Sequence, residues 1–190
     1  MKKNGIGINQ ITLLIVDDHP LFRQGVVDAL ALEPDMRIIA QSADGDEALE
    51  LIRTKKPTVA VLDVNLPGMN GQQITHQVSQ ERLPTRIILM TGYDDLDQAI
   101  HAALGGAHGY CSKDIEHHTL SRMIREVSEG KYVFAGDVFT HRELELWAEN
   151  KMEGARHSYS EPGAPVHPLS DRETEVLDCV VRGLRNQEIA

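Results

Sequence analysis

The chain has 190 residues and a formal net charge of −10, and its apolar content of 41% is ordinary for a globular protein. No run approaches the roughly 20 apolar residues that cross a bilayer, and no apolar run near the N-terminus suits a secretory signal, so we expect no membrane segment. The acidic balance argues against strong nucleic-acid binding by these residues alone, because phosphate contacts need clustered Lys and Arg. The two cysteines, Cys111 and Cys179, are far apart, which favours a reducing, cytoplasmic setting.

Five short apolar runs in roughly the first 125 residues predict a parallel sheet, because strands buried on both faces are continuously apolar. The runs cover residues 11–16, 37–40, 59–62, 87–90 and 109–111, and the second, which is more mixed, is expected at an edge. An amphipathic helical pattern follows each run. In the first of these helices we expect Leu21, Val27 and Leu30 to share a face. The alternation of strands and helices predicts an α/β domain.

The composition changes after about residue 148, where the apolar periodicity stops. Residues 149–168 contain three prolines and few large apolar side chains, which is typical of a linker. Just before them, residues 143–147 predict a short helix that packs on the first domain or on the linker. A contact between two copies of the chain is the alternative for this short helix.

Helical periodicity resumes at Ser170, which forms a capping-box pattern with Glu173, and a second helix begins near Asn186. The sequence stops at Ala190, after too few residues for that helix to stand alone, so we expect a truncated unit. The expected organisation is a domain at 10–131, a linker with a short helix at 132–168 and the start of a helical domain at 169–190.

Polar residues stand at the ends of four predicted strands. Asp17 and Asp18 follow the first strand, Asp63 ends the third, Thr91 ends the fourth and Lys113 follows the fifth. The carboxyl ends of parallel strands meet at one edge of the sheet, where α/β folds bind ligands. We therefore expect these side chains to form one site.

This set of residues suits phosphoryl transfer. Packed carboxylates need a divalent cation, and Mg²⁺ prefers oxygen ligands and also contacts phosphate. Asp63 is the candidate nucleophile, because an aspartate can form an aspartyl-phosphate. Lys113 and Mg²⁺ would stabilise charge on the phosphoryl oxygens, Thr91 would donate a hydrogen bond, and Gly92 would leave room for the group.

Four stretches resemble the signature regions of bacterial two-component receivers: LLIVDDHPLFRQG, VAVLDVNLPGMNG, ILMTGYDD and GAHGYCSKD. The resemblance covers roughly residues 10–130 and implies a flavodoxin-like, doubly wound five-stranded sheet of order 2-1-3-4-5. It implies that Asp18 and Asp63 bind Mg²⁺ directly, that Asp17 does so largely through water, and that the backbone carbonyl of Asn65 completes the metal site. It assigns phosphorylation to Asp63.

The same resemblance makes Thr91 the switch threonine, Lys113 the conserved-type lysine and Tyr110 an aromatic that swings inward when the threonine moves. The tail, LSDRETEVLDCVVRGLRNQEIA, is similar to the opening of the helix-turn-helix domain of NarL/LuxR-type regulators, without the recognition helix. Arg185 departs from that pattern, since a small hydroxyl residue usually caps the second helix there. A sensor histidine kinase, a homodimer formed on phosphorylation, and DNA bound through a complete output domain are the partners implied.

Two other functions remain open at this point. A receiver could act through protein contacts without DNA. A phosphatase of the haloacid dehalogenase type also uses Asp, Thr, Lys and Mg²⁺, but its nucleophile precedes its acidic pair and a second Asp follows two residues later, where this chain has Asn65. The order of residues therefore favours a receiver, with no activity beyond its own phosphorylation and dephosphorylation. The nine histidines, including His19, are expected to be surface residues without a catalytic role.

Overall fold

The computed structural model describes residues 10–92 and 95–158, with side chains up to residue 152. The strands are β1 (Ile11–Val16), β2 (Met36–Ser42), β3 (Val59–Asp63), β4 (Arg86–Thr91), β5 (Gly109–Ser112), β6 (Tyr132–Phe134) and β7 (Asp137–Phe139). The helices are α1 (Pro20–Ala31), α2 (Gly45–Lys55), α3 (Gly71–Gln80), α4 (Leu96–Leu104), α5 (His117–Ser128) and α6 (His141–Ser158). No helix among the described residues is long and apolar enough to span a membrane.

The strands form one sheet in the order β2-β1-β3-β4-β5-β6-β7. Pairing is parallel from β2 through β6, and β7 is antiparallel to β6. The predicted flavodoxin-like order 2-1-3-4-5 is confirmed, and the predicted edge strand is β2. The sheet is wider than expected, because β6 and β7 extend it beyond β5.

The predicted linker with only a short helix after residue 131 is wrong for residues 132–158, which form two strands and a long helix. Tyr132–Phe134 and Asp137–Phe139 form a hairpin whose two-residue turn, Ala135 and Gly136, has positive φ at both positions. Helix α6 then runs well beyond the expected 143–147. Residues 159–168 of the predicted linker and the helix-turn-helix resemblance at 169–190 lie outside the described residues.

Helix α6 begins with a reciprocal cap. The Thr140 hydroxyl accepts a hydrogen bond from the Glu143 N–H at 3.4 Å, and the Glu143 carboxylate accepts one from the Thr140 N–H at 2.7 Å. Leu144 is buried, and Trp147 packs against the hairpin, with its ring 6.1 Å from that of Phe134. The hairpin and helix therefore share the apolar core on one face of the sheet.

Two apolar layers cover the sheet. Helices α2, α3, α4 and α6 pack on one face, and α1 and α5 pack on the other. Helix α1 buries Leu30, but Leu21 is 91% exposed, contrary to the expectation that the two share a face. Nine residues at about 100° each place them on opposite sides of the helix. Phe22, Val26 and Val27 face the core instead.

Candidate functional site

The carboxyl edge of the sheet brings together the predicted side chains. Asp63 and Thr91 end the neighbouring strands β3 and β4, while Asp17 and Lys113 directly follow β1 and β5. Asp17, Asp63 and Thr91 are each at most 2% exposed. Buried polar side chains need partners, because burial without a hydrogen bond is costly.

Lys113 bridges two of the carboxylates. Its ammonium lies 2.8 Å from Asp17 Oδ2 and 2.7 Å from Asp63 Oδ2. Burial alone would lower the pKa of Lys113, but hydrogen bonds to the two carboxylates and their negative charge outweigh it and raise the pKa above its ordinary value. The ammonium therefore stays charged and keeps the two acidic side chains close together.

Helix α1 supplies two contacts that the sequence did not indicate. The ring of Phe22 lies 5.0 Å from the Lys113 ammonium, within range of a cation–π contact. The guanidinium of Arg23 donates a hydrogen bond to the backbone carbonyl of Asp17. Both residues stand in the first turn, just after Pro20, so the start of α1 positions the lysine and one acidic residue together.

Asp18 and His19 form the exposed side of the site. His19 Nδ1 lies 2.7 Å from Asp18 Oδ1 and 3.2 Å from Asp17 Oδ1, and the His19 backbone N–H donates to Asp17 Oδ1 at 2.8 Å. Side-chain oxygens of Asp17, Asp18 and Asp63 and a ring nitrogen of His19 all lie within 4.8 Å of one another. Carboxylate oxygens at this spacing fit a hard divalent cation such as Mg²⁺.

The loop after β3 fixes Asp63. The Asn65 N–H donates to Asp63 Oδ1 at 3.1 Å, which holds the carboxylate in place. Gly71, at the start of α3, packs against the same residue so closely that a Cβ would come within 2.5 Å of the Asp63 carbonyl oxygen. Only glycine permits this approach, so α3 begins directly against the acidic strand end.

Thr91 and Tyr110 are buried beside the site. The Lys113 backbone N–H donates to the Thr91 carbonyl at 2.7 Å, joining the ends of β4 and β5. The Tyr110 side chain is 4% exposed, and its hydroxyl donates to Gln98 Oε1 of α4 at 3.3 Å. The ring thus lies inside the protein, in contact with the helix that follows β4.

Comparison with known proteins places this site in a family. Residues 13–125 match the family model described as the response regulator receiver domain. The chain is a response regulator. The match covers every residue of the predicted site, and it favours the receiver over the haloacid dehalogenase alternative, as the order of the acidic residues already did.

The response regulator is also similar to curated proteins along most of its length. It is 32% identical to the transcriptional regulatory protein DegU of Brevibacillus brevis, over 95% of this chain and 79% of that protein. It is 31% identical to the DNA-binding transcriptional activator DevR/DosR of Mycobacterium tuberculosis, over 95% of this chain and 78% of that one. These similarities show a regulator of the NarL/LuxR type.

Solved structures agree with this assignment. A two-component response regulator of the LuxR family from Aurantimonas sp. SI85-9A1 has a TM-score of 0.64 at 29% identity, covering 75% of this chain and 99% of that one. The response regulator ChrA of a heme-sensing two-component system has a TM-score of 0.60 at 27% identity, covering 96% of this chain and 80% of that one. The response regulator is thus activated by phosphorylation and controls transcription.

Proposed function

We propose that Asp63 is the residue that receives the phosphoryl group, and that a sensor histidine kinase donates it. The observation that carries this proposal is the bridge between Lys113 and the carboxylates of Asp17 and Asp63. A nearly buried aspartate with an ammonium 2.7 Å away has both a nucleophilic oxygen and a positive group for the incoming phosphoryl oxygens. In the transfer, an Asp63 oxygen forms a bond to phosphorus while the bond from phosphorus to the kinase imidazole breaks.

The surrounding residues prepare Asp63 for this step. The Asn65 N–H orients the carboxylate from one oxygen, and the Lys113 ammonium contacts the other. Asp18 and Asp63, with Asp17 through water and the backbone carbonyl of Asn65, would hold Mg²⁺, which would supply positive charge to the phosphoryl oxygens. Lys113 would contact a phosphoryl oxygen, and the Thr91 hydroxyl would donate to another. Hydrolysis of the aspartyl-phosphate resets the protein, and we propose no other catalytic activity.

The proposed effect on transcription starts from Thr91 and Tyr110, the two buried residues beside the site. Movement of Thr91 toward the phosphoryl group changes the packing of Tyr110 and its hydrogen bond to Gln98, which alters the surface around α4. We propose that this change promotes a homodimer and DNA binding through a helix-turn-helix domain that begins near residue 169. An output through protein contacts alone is the second candidate. Selection of sequences from a random DNA pool, by a phosphorylated protein that carries the complete output domain, distinguishes the two.

Intact mass spectrometry tests the phosphorylation. Incubation with Mg²⁺ and acetyl phosphate should add one phosphoryl group to the parent chain, and removal of Mg²⁺ with a chelator should prevent it. Asp63→Asn should take up none, because an amide cannot form the acyl phosphate. Asp95→Asn, at the cap of α4, is a matched control and should be phosphorylated like the parent. Phosphorylation of the Asp63→Asn protein would contradict the proposal.

A further inference from the structure

Phe22 contributes the face of an aromatic ring, rather than a polar atom, to the site. The Lys113 ammonium lies over this ring, 5.0 Å from its centroid. Aromatic rings carry partial negative charge on their faces, and a cation within about 6 Å of the centroid is attracted to them. The ring is therefore a third contact of the ammonium, in addition to the carboxylates of Asp17 and Asp63.

The start of α1 fixes this ring in place. Pro20 opens the helix, and the Arg23 guanidinium donates to the Asp17 carbonyl, which ties the first turn to the end of β1. The Phe22 side chain also packs against the apolar core on that face of the sheet. Because the backbone and the packing hold the ring, the ring restrains the ammonium rather than following it.

The contacts of Lys113 respond differently to phosphorylation. The hydrogen bond to Asp63 Oδ2 depends on a charged acceptor, and the proposed phosphoryl group moves that charge onto the phosphoryl oxygens. The attraction to the ring of Phe22 does not depend on where the N–H bonds point. The Lys113 side chain is only 16% exposed, and a cation–π contact is stronger when water is partly excluded. The ring thus keeps the ammonium in the site while its hydrogen bond passes from Asp63 to a phosphoryl oxygen.

We propose that Phe22 is a positioning residue for the phosphorylation of Asp63, and that it acts through its cation–π contact with Lys113. The inference rests on the proposed function, because it concerns the same phosphoryl transfer. The attraction holds the ammonium where the phosphoryl oxygens arrive, so a weaker attraction slows the transfer. An aliphatic side chain of similar size fills the same space but does not attract the cation.

Fluorination of the ring tests the attraction at nearly constant shape. Fluorine withdraws electron density from the ring faces, so mono-, di- and trifluorinated phenylalanine at position 22 should weaken the contact in steps. The initial rate of phosphorylation by acetyl phosphate in Mg²⁺, followed by intact mass, should fall in the same steps, by about threefold to tenfold in total. Phe22→Leu should show a similar loss. The same three replacements at Phe139, which packs on Trp147 of α6, are the control and should leave the rate unchanged.

Urea unfolding of the same proteins separates positioning from packing. The fluorinated rings remain apolar and planar, so the free energy of unfolding should stay close to that of the parent while the rate falls. An unchanged rate across the Phe22 series, in a chain that is phosphorylated, overturns this inference and leaves the proposed function standing. A fall in rate that only parallels a fall in stability also overturns it, because the ring would then act by packing alone. If the parent accepts no phosphoryl group, both proposals fail.

Discussion

At the scale of single residues, His108 occupies a position where a proton is disfavoured. Its ring stacks on Tyr132 with centroids 5.2 Å apart, and its Nδ1 accepts a hydrogen bond from the Ile87 N–H at 3.3 Å. Burial, then the positive charges of Arg86 and His141, lower the pKa of His108 to about 4. The neutral ring is therefore part of the folded state.

This arrangement predicts a loss of stability in mild acid. Unfolded, His108 has its ordinary pKa near 6.5, so between that pH and about 4 the unfolded chain binds a proton that the folded chain does not. The stabilisation that the neutral His108 gives to the folded state is complete above pH 6.5 and declines as the pH falls. His108→Asn retains an acceptor for the Ile87 N–H. Between pH 7 and pH 5 its free energy of unfolding, measured with urea, should fall by about 1–2 kcal/mol less than that of the parent.

Comparison with a second histidine variant makes the pH test specific. His117→Asn, at an exposed position on α5, should lose as much stability as the parent over the same range. Identical pH profiles for the parent and His108→Asn would rule out the buried histidine as the cause.

The main site residues could be predicted because strand ends converge whatever the details of packing. Asp17, Asp63 and Lys113 follow directly from the order of the strands. The contact between Phe22 and Lys113 could not be predicted, because it depends on how α1 is rotated about its axis. Leu21 shows the same limit, since an apolar residue in the first turn was expected to be buried and is exposed.

At the scale of elements, the hairpin β6–β7 and helix α6 belong to the apolar core of the sheet. Phe134 is fully buried, and Phe139 and Trp147 pack with ring centroids 5.6 Å apart. The strands were missed because three residues are too few to show a period of two. Two local signals were present in the sequence: the Ala135–Gly136 turn and the capping pair of Thr140 and Glu143.

The packing predicts that the receiver loses stability if the hairpin is damaged. Phe134→Ala should lower the free energy of unfolding by about 3–5 kcal/mol, because it removes a buried aromatic ring and leaves a cavity. Val138→Ala on the neighbouring strand is the control, since Val138 is 49% exposed and should change stability by less than about 0.5 kcal/mol. Chemical denaturation measures both. If Phe134→Ala changed stability as little as Val138→Ala, the hairpin would not contribute to the core.

At the scale of the whole molecule, the three site carboxylates should couple cation binding to folding. A cation that binds only the folded chain stabilises it, by about 1.4 kcal/mol at ten times its dissociation constant. Mg²⁺ should therefore raise the melting temperature of the parent, and Asp18→Asn should reduce the increase. Because the chain carries a net charge of −10, NaCl at matched ionic strength must be compared. The same increase in both proteins would argue against a specific site.

The ammonium of Lys113 among three carboxylates limits how the signal can leave the site. Together these groups leave two negative charges unbalanced, which one divalent cation would cancel. The proposed phosphoryl group on Asp63 would add only about one further negative charge, because it replaces the charge of the carboxylate to which it is bonded. The electric field beyond the pocket would thus change little on activation, and salt screens such a field within about 10 Å. We therefore expect phosphorylation to alter the surface of the domain through displacement of packed side chains. Ionic strength should have little influence on that change.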